Sequence, residues 1–218
     1  MMWDPDYATY VFPALLKGLG VTVEVTLIGS AIALALGLIV AILRSLRIPG
    51  LSQLLWFYVE FIRGTPVLVQ AYFAFFVLPK AGVQLDPLVT GIIVMGINYS
   101  AYMAEVYRAG IESVPVGQWE AVRALSLPTG RAWRRIIIPQ AVRPMVPALG
   151  NYVIQMFKDS AILSAITVAE LMSRALQAGS TYYRYTEPLT LAGILFLAVS
   201  YISSLGVQRL EKRLVINK

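Results

Sequence analysis

The 218-residue sequence has no cysteine and no histidine, and only 14% of it is charged. Without cysteine there are no disulfides, thiol nucleophiles or cysteine–zinc sites. Without histidine the chain lacks the usual acid/base group at neutral pH and the usual ligand for transition metals and haem. No Gly-x-x-x-x-Gly-Lys-Ser/Thr loop is present, so nothing here cradles a nucleotide phosphate; Gly64-Thr65-Pro66 is not such a loop. These absences predict no metal site, no bound cofactor and no catalytic residue in this chain. Period-2 alternation is missing, which argues against a transmembrane barrel. There is no low-complexity linker and no clear internal repeat.

What fills the sequence instead is apolar. Hydrophobic residues make up 58% and mean hydropathy is +0.69, whereas a soluble domain is about 25% charged. A membrane helix needs roughly 20 mostly apolar residues to cross ~30 Å of hydrocarbon. Five runs approach that length: Val25–Leu43; Gly64–Leu78, extended backward by Leu54–Phe61; Pro87–Ala104; Pro144–Ala169, interrupted by Lys158-Asp159; and Pro188–Gln208. The first is too long for a signal-peptide core and follows Asp4 and Asp6 rather than a basic segment, so it is expected to stay in the mature protein. The expectation is an all-α integral membrane protein with five transmembrane helices, one domain over residues 1–218.

The net charge of +6 is distributed by side. Arg44 and Arg47 follow the first run, Arg108, Arg123, Arg131, Arg134, Arg135 and Arg143 the third, and Arg209, Lys212, Arg213 and Lys218 the fifth: 12 of 18 cations. Lys17, Lys80, Arg174 and Arg184 lie on the other side, while Arg63 and Lys158 fall within runs. The positive-inside rule then places the N-terminus outside the cell membrane and the C-terminus in the cytoplasm. The charge is a topology signal and not a nucleic-acid surface, because no basic-aromatic patch exists apart from these loops.

The long cytoplasmic loop, about 111–135, contains a short helical pattern between Pro115 and Gly130. Ala121, Ala124 and Leu125 share one face, with Glu120 and Arg123 beside it. Such a helix either docks in a groove of another protein or lies on the lipid surface. Trp119 fits both, as an interface anchor or a headgroup anchor, and Glu120 also suits a helix N-terminus.

Here the residues resemble a family. Glu120-Ala121-Val122, three residues, Ser126, nine residues, Ile136, one residue and Ile138-Pro139 resemble the EAA loop of ABC-importer permeases: Glu-Ala-Ala, three residues, Gly, nine residues, Ile, one residue, Leu-Pro. Ser126 stands where the family has glycine. If that glycine serves a positive φ, serine is strained there, unless Leu127-Pro128-Thr129-Gly130 carries the turn. Glu60 to Gln70, Asn98 to Glu105 with Arg108 to Ile111, and Phe157 to Ser160 are similar to the second, third and fourth spans of polar-amino-acid permeases, those for histidine, glutamine, glutamate and arginine uptake. Phe157–Ile166 and Arg184–Thr190 are similar also to the ectoine/hydroxyectoine branch.

The resemblance implies the type I ABC importer permease architecture. It implies a second permease subunit (the same chain or a paralogue), a dimer of ATP-binding cassette ATPases that holds ATP and Mg, and an extracytoplasmic solute-binding protein. It further implies that the loop helix is the coupling helix, with Trp119, Glu120, Ala121, Arg123, Ala124, Ser126 and Gly130 at or near the ATPase. Closure of the ATPase would draw the coupling helices together and open the spans outward.

Polar groups inside the spans are the candidates for a solute path. Asn98, Tyr99, Ser100 and Tyr102, with Gln155, Ser160 and Ser164, either line a path for a zwitterion or make interhelical hydrogen bonds. Lys158-Asp159 is either a structural ion pair or a substrate contact. Glu60 and Arg63, three residues apart, read as an inner-leaflet pair. Pro66 frees a backbone carbonyl that Thr65 can help satisfy, making Thr65-Pro66 a hinge. Gly29, Gly37, Gly91 and Gly96 read as close-packing positions. A secondary transporter or channel using Lys158/Asp159 as its coupling site is the alternative, but it needs no docking helix. A membrane enzyme lacks catalytic groups.

Overall fold

The computed structural model describes residues 3–216, with side chains through Leu214; Lys218, one of the cations counted above, lies outside the described residues. Helix α1, Pro5–Ser45, is capped by the Asp4 carboxylate, which accepts from the Asp6 and Tyr7 amides, with Pro5 in the first turn where its missing N–H costs nothing. At 41 residues it is about 60 Å long, more than the Val25–Leu43 run needs. After the left-handed Gly50 (φ 80°) comes α2, Leu51–Gly64. Helix α3, Val67–Tyr72, continues as a wide turn of helix at Phe73–Val77 and a tight one at Leu78–Ala81. Helix α4, Pro87–Glu112, starts on the Asp86 cap. The short α5, Val116–Ala124, and α6, Thr129–Ala132, lead through Trp133–Ile137 into α7, Ile138–Asp159. A tight helical segment, Ser160–Ile166, ends at Thr167 (φ 65°). Helix α8, Leu171–Tyr182, is capped by Glu170, and α9 is Thr186–Ile216.

Three helices are individually long and apolar enough to cross a membrane, and two bent pairs bring the total to five if each pair is one span. This is the all-α, five-span class expected from the apolar runs. Two details differ from the sequence reading. The second span is broken outright, with α2 and the helical stretch from Val67 to Ala81 at 101°, where a kink was expected. The fourth bends by 47° between Ile166 and Leu171, having left α-helical geometry after Asp159.

The core is built on α1 and α4. Along α1 the buried residues Val25, Gly29, Ala33, Gly37 and Val40 recur every three or four positions, which places them on one stripe. A methyl group on Gly37 would stand 2.8 Å from the Ser100 carbonyl oxygen, and one on Gly96 would stand 2.7 Å from Ile32. Glycine at both positions lets the two backbones approach, the small-residue packing of membrane helices. Arg44 clasps Glu105 where the C-terminal ends of the two helices meet, and Glu105 and Glu112 both engage Arg108. Met156, Leu163 and Ile166 pack across α1 and α4 with Met95, Tyr99 and Met103. On the other end, Leu171 and Ala175 of α8 bury against Leu15 of α1 and Ala192 of α9. There Arg184 bonds Asp4 at 2.8 Å and Glu187 at 2.6 Å, while the Asp4 amide donates to Glu187 at 3.0 Å. Asp4's carboxyl is held below its ordinary value, chiefly by the Tyr7 amide and further by Arg184, against a burial effect of opposite sign. Leu197 and Ile202 on α9 remain 69% and 68% exposed, a surface suited to lipid or a partner helix.

Candidate functional site: a polar cavity at the broken span and an exposed loop helix

The break between α2 and α3 opens a cavity of about 280 Å³ lined by Arg63, Gly64, Thr65, Pro66, Val67, Asn98, Tyr99, Tyr102, Tyr152, Gln155 and Asp159. Non-helical backbone at membrane depth is tolerated where it lines such a space. The volume lies near the lower end of the ~300–1,000 Å³ usual for small-molecule sites.

Each wall comes from one helix face. On α4, Asn98, Tyr99 and Tyr102 fall within a single turn and its neighbour. On α7, Tyr152 and Asp159 are seven residues apart and Gln155 lies between them on the same face. Tyr99, only 2% exposed, donates its hydroxyl to Asp159 at 2.6 Å. The rings of Tyr99, Tyr102 and Tyr152 stand 5.6–6.4 Å apart. Arg63 projects from the end of α2 with its guanidinium 5.6 Å from the Tyr102 ring centre, a cation–π contact. The cavity thus combines a carboxylate, a guanidinium, two amides and three phenols.

Five of the residues expected along a solute path meet here: Asn98, Tyr99, Tyr102, Gln155 and Asp159. Four do not. Ser100 lies off the cavity, bonded to the Tyr58 hydroxyl and the Ile97 carbonyl. Lys158 is exposed, lies off the cavity and forms no ion pair with Asp159, because adjacent positions on a helix point about 100° apart. Ser160 and Ser164 donate to the Phe157 and Ala161 carbonyls within their own segment. Two polar lining residues were not picked out from sequence as part of a path. Tyr152 shares its helix face with Asp159, a heptad signal that was readable. Arg63 was assigned to Glu60, and that contact exists, but only at 3.8 Å.

Thr65 and Pro66 form the break itself. Thr65 is extended (φ −111°, ψ 137°), as the residue before proline prefers. Its hydroxyl donates to the Phe61 carbonyl at 2.9 Å and stands 3.4 Å from the Ile62 carbonyl that Pro66 frees.

The second candidate surface is α5. Glu120, Ala121, Arg123, Ala124 and Leu125 are exposed, and Glu120 makes no ion pair among the described residues. Trp119 is different: it is half-buried and packs edge-on against Trp133, centroids 5.5 Å apart. It packs on the cluster of Val114, Ile137, Ala141 and Met145, with part of it still accessible. Helix α5 is capped by Leu125 and closed by Ser126 at φ 49°. The Leu127 amide bonds the Val122 carbonyl at 3.1 Å and the Ser126 amide the Arg123 carbonyl at 3.0 Å, the Schellman arrangement that favours glycine. The left-handed residue is Ser126 itself and not Gly130, which lies in α6.

Comparison with known proteins follows the same outline. Residues 33–216 match the family model described as "Binding-protein-dependent transport system inner membrane component". A probable amino-acid ABC transporter permease of Sinorhizobium fredii is 36% identical over 97% of this chain and 94% of the relative. The arginine transport system permease of Bacillus subtilis is 33% identical, covering 94% of each. The crystal structure of an amino acid ABC transporter with histidines superposes with a TM-score of 0.93 at 35% identity, over 98% of this chain and 100% of that one. The methionine transporter MetNI, inward facing, shares the fold at TM-score 0.79 and 19% identity. A five-span helical chain with a broken second span, matched over its length in this way, belongs to the binding-protein-dependent inner-membrane components, as a permease subunit of an amino-acid ABC importer.

Proposed function

We propose that the cavity between Arg63 and Asp159 is where a zwitterion rests during passage through this permease. The single observation that carries the reading is that one small cavity presents a guanidinium and a carboxylate together. Arg63 suits a carboxylate, which a guanidinium binds in fork geometry. Asp159, held by the Tyr99 hydroxyl, suits an ammonium or amidinium group. The three phenols surround the remainder. Lys158, which lies off the cavity, plays no part in binding.

The solute class is a polar amino acid or an amino-acid-like molecule. The cyclic zwitterion ectoine is the specific solute proposed, on the resemblance of Phe157–Ile166 and Arg184–Thr190. Movement is by alternating access, driven by an ATPase dimer that engages α5 through Glu120, Ala121, Arg123, Ala124 and Leu125, with a second permease subunit completing the pathway. A solute-binding protein delivers the solute on the face opposite α5. The distribution of basic residues supports an N-terminus outside and a C-terminus in the cytoplasm.

The test is uptake into liposomes carrying the permease co-purified with its ATPase subunit and binding protein. Radiolabelled ectoine, L-arginine, L-glutamine and L-histidine are compared. Asp159→Asn and Arg63→Gln should each reduce uptake at least about tenfold, as loss of one charged hydrogen bond implies. Uptake by the permease alone, without an ATPase, would establish the secondary-transporter alternative. Ectoine uptake no faster than in empty liposomes would remove the specific solute and leave the class.

A further inference from the structure

The backbone at the broken span has an accounting problem that one side chain solves. Pro66 has no N–H, so the Ile62 carbonyl four residues earlier loses its helical donor. The Thr65 carbonyl is orphaned too, because the next amides, Val69 and Gln70, both bond to Pro66 at 3.0 and 3.1 Å. Ile62 and Thr65 are half-buried, and a carbonyl shielded from water without a donor is costly. Gln70 reaches back from α3 and supplies both. Its amide nitrogen stands 2.9 Å from the Ile62 carbonyl, 3.2 Å from the Thr65 carbonyl and 2.7 Å from the Thr65 hydroxyl. Its amide oxygen accepts from Asn98 at 3.2 Å. Asn98 is 4% exposed and lines the cavity, while Gln70 itself does not.

We propose that Gln70 is the positioning residue of the permease: it pins the angle of the broken second span and ties that angle to the cavity wall through Asn98. The primary amide is required because its two ends do opposite work. The nitrogen satisfies the acceptors of the break, and the oxygen holds the donor on α4. A solute that draws on Asn98 competes with Gln70 for the same amide, so filling the cavity loosens the bend, and straightening the bend alters the cavity. The last step rests on the reading of the cavity as the solute site; the pinning of the bend does not.

The experiment uses the complete permease–ATPase complex in phospholipid nanodiscs. The chain has no native cysteine, so Leu54→Cys on α2 and Val77→Cys beyond α3, both exposed, accept a spin-label pair that brackets the bend. Labelled chain is diluted with unlabelled chain so that only distances within one subunit are read. With no solute present, the unmodified hinge should give one narrow distance distribution. Gln70→Met keeps the length and removes the amide, and should broaden the distribution about twofold or more. In liposomes the same variant should import about fivefold fewer solute molecules per ATP hydrolysed, hinge substitutions being known to disturb turnover far from the reacting groups. A residue that merely supports folding would lower yield and thermal stability while leaving both the width and the import-to-ATP ratio unchanged.

If Gln70→Met does not assemble, Thr65→Val deletes the hydroxyl partner at constant volume and should broaden the same distribution, with Thr65→Ser restoring it. An unchanged width in whichever variant assembles overturns the proposal. Failure of the cavity reading is seen separately, as unaltered uptake in Asp159→Asn and Arg63→Gln, because the width is measured without solute.

Discussion

Replacing Ser126 by glycine should tighten the end of the loop helix. Ser126 sits at φ 49°, and an L-residue in this left-handed region pays about 1–2 kcal/mol for the approach of its Cβ to the backbone. Glycine has no such clash but loses more freedom on ordering, about 0.5–1 kcal/mol. The difference leaves about 0.5–1 kcal/mol in favour of Ser126→Gly, because the Ser126 side chain is exposed and takes no packing with it. The amides that report this are those of the Schellman closure, Ser126 to Arg123 and Leu127 to Val122. Hydrogen exchange measured by mass spectrometry on the intact complex should slow about two- to fivefold for Leu125–Leu127, since ~1.4 kcal/mol corresponds to tenfold. Ser126→Val, with a branched Cβ at the same φ, should exchange faster than the parent. Equal or faster exchange in the glycine variant, or slower exchange in the valine variant, would refute the strain argument and return the turn to Leu127–Gly130.

Other perturbations read other parts of the structure. Gly37→Ala puts a methyl group against the Ser100 carbonyl and should cost about 1–3 kcal/mol, visible as a lower melting temperature of the purified complex; Gly20→Ala, which meets no neighbour, serves as the control. Glu120→Lys should leave the protein in the membrane and abolish solute-dependent uptake, because it inverts the charge of the exposed loop helix; normal uptake would count against docking there. The Asp4 carboxyl is held below its ordinary value of 3.8, so the stability it lends is present above that pH and is lost as pH falls through its depressed folded value. Exchange at Tyr7–Val11, corrected for intrinsic rates, should therefore accelerate only below about pH 4. Asp4→Asn keeps a capping oxygen but not the ion pair to Arg184, and should reduce the pH dependence to the share of Glu187, which bonds the same arginine.

The five spans were legible because bilayer thickness fixes the length of an apolar run, whatever the tertiary packing. The small residues at Gly37 and Gly96 were legible for a similar reason, since close helix approach has few chemical solutions. The size of the bend at Thr65-Pro66 was not. Proline states that a carbonyl is freed, but whether the chain kinks or breaks depends on who satisfies that carbonyl. Here the donor is Gln70, placed by α3 turning back on α2. The second contact of Arg63 was hidden for a related reason: the Glu60 pair at i,i+3 does form and accounts for Arg63 on a straight helix, whereas its place over Tyr102 at the cavity depends on the break. Lys158 and Asp159 could have been separated by helical phase, because Asp159 is a heptad from Tyr152 and Lys158 is not. Trp119 could not, since its burial depends on Trp133 folding back through α6 and the Trp133–Ile137 turn.

The interlocked pair of α1 and α4 has a mechanical consequence. Where backbones meet at Gly37 and Gly96 and the ends are clasped by Arg44 and Glu105, neither helix can slip past the other by a fraction of a turn. Helix α4 leads into α5 through only Ser113, Val114 and Pro115, and Val114 is 4% exposed, so this joint has little slack. From Glu112 back to Asn98 is 14 residues of continuous helix, about 21 Å. One continuous helix thus connects the start of the loop helix to the residues Asn98 and Tyr99 of the cavity wall. Across the cavity the chain has no such rod: at Thr65-Pro66 the helix is interrupted, and its angle is held by the Gln70 side chain instead of by backbone hydrogen bonds.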